Sequence, residues 1–102
     1  MDFDTYMSED RRLVILRLLE AQDDFTLNDG LLLHGLDQLG HGVARQILQD
    51  DVVWLKQKEL VELTPLSPQI MRVRLREKGQ EICLGKQRIA GVRRLKAHEV
   101  GE

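Results

Sequence analysis

The spacing of apolar residues over positions 43–83 predicts a helix, a β-hairpin and the start of another helix. Over residues 43–58 the apolar side chains recur three and four positions apart, which is typical of an amphipathic helix. Residues 60–75 contain a turn with Pro65 and Pro68, and two prolines three positions apart do not fit inside a helix or a paired strand. These elements organise the rest of the chain.

The predicted hairpin has one apolar face and one basic face. Its strands are expected over residues 60–63 and 70–75, and the second strand alternates apolar side chains with Arg72 and Arg74. A two-stranded hairpin alone is marginally stable. We therefore expect its apolar face to pack on helices and its arginines to face outward.

Two more helices are predicted before position 43. The first covers residues 8–21 with Ser8 as its N-cap, after a short apolar lead-in at residues 1–7. Its apolar stripe is wide, so it is either the central helix or it contacts both the core and a second copy. The second covers residues 26–39 and opens on a capping-box pattern. Residues 40–42, Gly-His-Gly, predict a tight turn into the third helix.

Two phrases in the chain resemble those of winged helix-turn-helix regulators. LKQKELVEL, at residues 55–63, resembles the phrase that ends the recognition helix and opens the wing in ArsR- and MarR-like proteins. VRLREKGQEI, at residues 73–82, resembles the phrase that closes the wing and opens the next helix. The resemblance covers about residues 10–85, and the chain also resembles a small ArsR-like protein carried by Mu-like transposable phages.

The chain departs from the family pattern at two positions. Glu59 stands where Gly is usual, and a left-handed backbone is less comfortable for Glu, so a different turn is expected there. Arg76 stands where Thr is common.

The resemblance and the element order together predict the fold class. We expect a mainly α protein with a small β-hairpin, a winged helix-turn-helix with a three-helix core, a two-stranded wing and a C-terminal helix. The length of 102 residues suits one domain over 1–102, with the core at 8–85 and a basic C-terminal helix or tail at 86–102. Two Phe, one Trp and one Tyr leave an aliphatic core.

Charge is distributed unevenly along the chain. Residues 1–64 carry 6 Lys or Arg against 13 Asp or Glu, whereas residues 65–102 carry 9 against 4. A basic second half would supply most of the attraction to nucleic acid. The alternatives are that the two halves attract each other or that the basic tail is solvated.

Six polar side chains are the candidate DNA contacts. The resemblance places the third helix in the major groove, where Arg suits guanine and Gln suits adenine, and places the wing on phosphate. The alternatives are a solvated helix face and a hairpin whose charges keep its edge from pairing. The candidates are Arg45, Gln46 and Gln49 on the third helix, and Arg72, Arg74 and Arg76 on and after the wing.

Other chemistry finds little support in the sequence. There is no catalytic triad pattern, no phosphate-binding Gly loop and no H-E-x-x-H, so an enzyme is not expected. Three scattered His and the single Cys83 do not predict a metal site, and we expect no cofactor. With one Cys, no visible signal peptide and no long apolar run, we expect a cytoplasmic location and no membrane association.

The predicted function is DNA binding by a small prokaryotic or phage-encoded transcriptional regulator. A homodimer is expected from the wide first helix, the apolar lead-in and an apolar line through Ile89, Val92 and Leu95. The competing hypothesis is a protein-protein interaction module that kept the fold without DNA binding. It is favoured by the acidic first half and by Asp50 and Asp51 on the third helix.

Overall fold

A computed structural model describes residues 1–100 and shows a mixed α and β architecture. The described residues form four α-helices and a three-stranded antiparallel sheet with strand order β1-β3-β2. The elements in chain order are α1 (Phe3–Glu20), β1 (Thr26–Asn28), α2 (Asp29–Gln38), α3 (Arg45–Gln57), β2 (Val61–Pro65), β3 (Met71–Leu75), α4 (Glu77–Cys83) and a 3₁₀ turn (Ala97–Glu99). The predicted third helix and hairpin are confirmed within two residues at each end, and the start of the fourth helix is confirmed. The sheet has one strand more than predicted.

Helix α1 begins five residues before the predicted N-cap. Asp2 is its N-cap, and the Asp2 carboxylate accepts a hydrogen bond of 2.7 Å from the backbone N–H of Thr5. That bond satisfies one of the amides that a helix start leaves unpaired, and it lowers the pKa of Asp2. The prediction of Ser8 as N-cap is therefore wrong. The lead-in forms the first turns of α1, and Phe3 on it is 72% exposed.

The core is built around α1, which packs against α2, α4 and the sheet. Its wide apolar stripe is covered inside the molecule, so of the two alternatives for this helix the central position is the observed one. A methyl group at Gly35 of α2 would lie 2.9 Å from Leu18 Cδ1, so this Gly permits the close approach of the two helices. The fully buried core side chains are Leu13, Ile15, Leu16, Leu19, Leu32, Leu36, Leu48, Val52, Leu55, Leu60, Val61 and Val73.

Residues 26–28 form a strand where the sequence predicts the start of a helix. Thr26 pairs with Arg74 and Asn28 pairs with Arg72, so β3 becomes the central strand of the sheet. The helix α2 starts after this strand, where the side chain of Asn28 accepts a hydrogen bond of 2.9 Å from the N–H of Leu31. The capping prediction failed because the tertiary pairing with β3 holds Thr26 in an extended conformation.

The basic segment after α4 is not an α-helix in the described residues. From residue 84 to residue 96 the chain turns and crosses back over the molecule. Val92 is buried, and Ile89 and Leu95 pack against the same core. The apolar line that suggested a dimer is therefore covered by the chain's own core.

Glu59 adopts the left-handed conformation that its side chain disfavours, with φ +65°. The expectation of a different turn is therefore wrong. Two backbone hydrogen bonds hold the left-handed turn at the end of α3: Glu59 N–H donates to Lys56 O at 2.9 Å, and Leu60 N–H donates to Leu55 O at 3.0 Å.

Replacing Glu59 with Gly should raise the free energy of unfolding by about 1 kcal/mol, since Gly adopts positive φ without steric cost. Urea denaturation checks this. Gln57→Gly, two positions earlier at the last residue of α3, should instead lower the free energy of unfolding, by no more than about 1 kcal/mol. A loss of stability in Glu59→Gly would mean that the Glu side chain, rather than the turn, is what matters at this position.

Candidate nucleic-acid interface

The outward face of α3 is polar and rich in Gln. Gln46 is exposed and Gln49 is half-buried, as expected for side chains that point away from the core. The side-chain amide of Gln46 donates a hydrogen bond of 2.9 Å to the carboxylate of Asp50, one helical turn later. Ile47 and Val53 of α3 are exposed as well. The outer side of α3 therefore presents hydrogen-bonding groups with little net charge, together with two apolar side chains.

Arg45, at the first position of α3, lies against a buried carboxylate. Its Nη1 atom is 2.8 Å from Oδ2 of Asp29, and the Asp29 side chain is only 3% exposed. The angles are not those of a hydrogen bond, so within the described residues both Asp29 oxygens accept none. The Arg45 side chain is itself 46% exposed. Arg45 is thus an ion-pair partner of α2 that keeps about half of its surface accessible.

The two wing arginines lie on the centre of the sheet and not at the hairpin tip. Arg72 and Arg74 are exposed on β3, on the face opposite buried Val73 and Leu75, which confirms the predicted alternation. Glu62 on β2 lies directly across from Arg74. The basic surface is therefore the outer face of a three-stranded sheet.

The ends of this basic surface differ from each other. Arg76 is exposed and is the N-cap residue of α4, just beyond β3. At the other end the hairpin tip, residues 66–70, carries no Lys or Arg and exposes Leu66 and Ile70. Beside the arginines a shallow cavity is also lined by Asp23 and Asp24. Positive charge thus concentrates along β3 and not at the tip.

Asp51, expected to be exposed on α3, faces the interior. Its carboxylate lies 2.5 Å from Nε of Arg11 and 3.3 Å from Nε of Arg12, and its side chain is 4% exposed. The acid therefore belongs to a buried ion-pair cluster between α1 and α3. Only Asp50 of the two neighbouring acids remains on the outer face, which weakens the sequence argument against phosphate.

Arg12 also links this cluster to the C-terminal segment. Its Nη1 donates a hydrogen bond of 2.9 Å to the carbonyl of Gly91, and its guanidinium lies 4.5 Å from the centroid of the Trp54 ring. Trp54 is half-buried against Arg12 and Gly91, at the point where the C-terminal segment crosses over α1 and α3.

A second cluster holds the end of the described chain on α1, and we call it the Arg93 network: Asp10, Arg17, His41, Arg93 and Glu99. Arg93 donates to Asp10 and makes two hydrogen bonds, 3.1 and 3.0 Å, with Glu99. His41, expected as a simple turn residue, is buried with Nε2 2.6 Å from an Asp10 oxygen. Arg17 lies 2.7 Å from Glu99. Arg93 of the basic tail is thus paired with Asp10 of the acidic first half and with Glu99 of the tail itself.

The Arg93 network shifts the pKa values of its acids downward. Hydrogen bonds from Arg93 are the main cause that lowers the pKa of Glu99 from 4.5 to about 2. Burial alone would raise the pKa of Asp10, but hydrogen bonds from His41 and Arg93 outweigh it and lower the pKa. Both acids therefore stabilise the folded chain in their charged forms.

Stability contributed by Glu99 should disappear in acid. Because its folded pKa lies below its ordinary value, the contribution is complete above pH 4.5 and is lost as the pH falls through about 2. We expect the difference in free energy of unfolding between the parent chain and Glu99→Gln to shrink across this window. Urea denaturation at several pH values measures it. Glu77→Gln, an exposed substitution outside the network, serves as control, and a constant Glu99→Gln difference would contradict the prediction.

Cys83 and the His residues do not form a metal site in the part of the chain that the structure describes. No three His, Cys, Asp or Glu side chains come close enough there to hold a metal ion. Burial is the main cause that raises the pKa of the Cys83 thiol to about 12, which keeps it protonated and unreactive. None of the helices between residues 1 and 100 has the length and apolar character that crossing a membrane requires.

The sequence pattern did not identify Asp29, Asp51 and Arg12 as residues whose ion pairs or hydrogen bonds connect separate elements. A signal existed for Asp51, because it lies three positions after Leu48 and four before Leu55, on the face that the helical period predicts as buried. No comparable signal existed for Asp29, whose burial depends on the strand that precedes α2.

Fold and surface define this chain as a small α and β protein with a polar helix face and a basic sheet face. Its sequence is 37% identical over 89 residues to gp26 of Escherichia phage Mu, described as an uncharacterized protein, and the match covers 86% of this chain and 90% of gp26. The chain therefore belongs to the family of phage Mu gp26, and the predicted phage relationship is confirmed.

Similarity also extends to a bacterial protein. An uncharacterized protein of Haemophilus influenzae is 30% identical over 66 residues, which span 65% of this chain and 64% of the relative. No protein-family profile matches the chain, and no solved structure matches it.

Proposed function

We propose that this phage-related protein is a winged helix-turn-helix regulator that binds double-stranded DNA. The observation that carries the proposal is the arrangement of α2, α3 and the hairpin. A Gly-containing connection over residues 39–44 joins the two helices, and a polar outward helix face and a sheet with exposed arginines follow. In this proposal α3 enters the major groove, and Arg45, Gln46 and Gln49 read base edges.

The sheet supplies the phosphate contacts in this proposal. Arg72, Arg74 and Arg76 are all exposed and follow one another on the outer side of β3 and the start of α4. Such contacts would position the protein on the duplex without reading sequence. The burial of Asp51 supports the proposal, since one carboxylate fewer opposes the phosphates.

The regulator is proposed to act as a homodimer. Of the three features that suggested a dimer, α1's stripe and the C-terminal apolar line are covered internally. Only Met1, Phe3 and Tyr6 remain exposed, at 85%, 72% and 39%. A two-fold interface through these N-terminal turns would place two α3 helices on two half-sites. Sedimentation of the parent chain and of Phe3→Ser/Tyr6→Ser would test this interface.

The proposal predicts salt-sensitive DNA binding through the sheet. We expect Arg72→Ala/Arg74→Ala to weaken binding to a mixed duplex pool and to reduce the slope of log affinity against log salt by about 2, one per lost phosphate contact. Fluorescence anisotropy across a salt series measures this. Lys86→Gln/Lys96→Gln removes the same charge from the C-terminal segment and should change the slope less.

One observation favours a second candidate, a protein-interaction module on the same scaffold. The hairpin tip exposes Leu66 and Ile70, and α3 exposes Ile47 and Val53, so apolar surface lies on both elements that the proposal sets against DNA. Absence of duplex binding even at low salt, with the parent chain folded, would reject the DNA proposal and favour this candidate.

A further inference from the structure

The C-terminal segment borders a half-open cavity that no part of the proposed DNA surface shares. It has a volume of about 450 Å³ and lies between the end of α4 and the segment over residues 85–95. That volume falls in the range of small-molecule sites, about 300–1,000 Å³. Its apolar lining comes from Ile82, Ile89, Val92, Leu95 and Val100.

The same cavity carries positive charge, and its lining over residues 82–100 includes no Asp or Glu. Arg88 and Arg94 both line it and are exposed, and among the described residues neither forms an ion pair with a carboxylate. Arg93 also lines it, but its guanidinium is engaged by Asp10 and Glu99. The two remaining guanidiniums can each present paired N–H groups to a carboxylate of a bound molecule.

Hydrogen bonds to neighbouring elements anchor the segment over residues 85–95, which forms one wall of the cavity. Lys86 N–H donates to Glu81 O at 2.9 Å, and Arg93 N–H donates to Glu9 O at 3.1 Å. Between them the carbonyl of Gly91 accepts the bond from Arg12. One wall of the cavity is therefore an anchored segment, which reduces the ordering cost of binding a small molecule.

We infer that this cavity binds a small amphipathic carboxylate, with its apolar body against Ile82, Ile89 and Leu95 and its carboxylate on Arg88 and Arg94. A purely polar anion would leave the apolar lining without contacts, so it should bind more weakly than an amphipathic one. An uncharged molecule of the same shape would leave the two arginines without a charged partner, so it should also bind more weakly. The inference does not depend on the proposed DNA binding, since the candidate DNA contacts lie on other elements.

Trp54 provides the readout, because it is the only Trp and contacts the outer side of the segment at Gly91. Decanoate is the probe and decanol its uncharged match. We expect a saturable change in Trp54 emission with decanoate and binding by decanol at least tenfold weaker.

Arg88→Gln/Arg94→Gln should weaken decanoate binding at least tenfold, whereas Lys86→Gln/Lys96→Gln, with the same charge change outside the lining, should not.

Equilibrium dialysis with decanoate accompanies the fluorescence, so that a binding event silent at Trp54 is still detected. Circular dichroism establishes that each variant is folded before it is scored. Absence of saturable decanoate binding by dialysis would overturn the inference. Equal affinity for decanol and decanoate, or unchanged decanoate affinity in Arg88→Gln/Arg94→Gln, would overturn the role of the arginines and with it the carboxylate site.

Discussion

Replacing Asp51 with Ala should lower the free energy of unfolding by about 3 kcal/mol. Removing one partner of a buried ion pair typically costs about 3–5 kcal/mol, because the opposite charge is left without compensation. Here the side chains of Arg11 and Arg12 retain 12% and 21% of their exposure, so water can partly solvate them. The lower end of the range is therefore expected.

Asp50 offers a matched control for this experiment. It precedes Asp51 in α3, carries the same charge and is exposed, and from residues 1–100 its side chain accepts one hydrogen bond, from Gln46. Asp50→Ala should change stability by no more than about 0.5 kcal/mol. Urea denaturation followed by circular dichroism measures both. Equal losses for the two variants would show that helix charge, and not the buried ion pair, determines the effect.

Replacing Gly79 with Ala should lower the free energy of unfolding by about 2–3 kcal/mol, the opposite of the usual gain for Gly→Ala in a helix. A methyl group there would lie 2.5 Å from the carbonyl oxygen of Leu60 and 2.6 Å from Leu75 Cδ1. The carbonyl accepts a hydrogen bond of 2.9 Å from Arg76 N–H, so it cannot move away without breaking the link between β2 and α4. Overpacking of this kind typically costs about 1–3 kcal/mol.

Lys78→Ala is the control for Gly79→Ala, since it changes the neighbouring α4 position without adding a methyl group to the contact. We expect a change within about 0.5 kcal/mol. Thermal unfolding and urea denaturation check both variants. A stabilised Gly79→Ala chain would mean that α4 can shift away from β2, in contradiction to the close backbone contact described here.

The candidate site could be predicted only in part from sequence. Alternation was enough to place Arg72 and Arg74 on the outer face of the sheet, since a strand has only two faces and one is apolar. The sequence did not indicate that β3 is the central strand, because β1 is three residues long and its pairing is remote in sequence. The same limit applies to Arg45, whose neighbour Asp29 lies on another element.

Local periodicity by itself determined the aliphatic core, the span of α3, the hairpin and the start of α4. These follow from contacts between near neighbours and from the restricted backbone of Pro and Gly. Only the tertiary structure decided the strand at residues 26–28, the pairing of Asp51 with Arg11 and Arg12, and the path of residues 84–96 over α1. Each of these depends on groups 39 to 83 positions apart in sequence, such as Arg12 with Asp51 and Asp10 with Arg93. Pairing at such distances depends on three-dimensional packing, which no local pattern of hydrophobic and polar residues encodes.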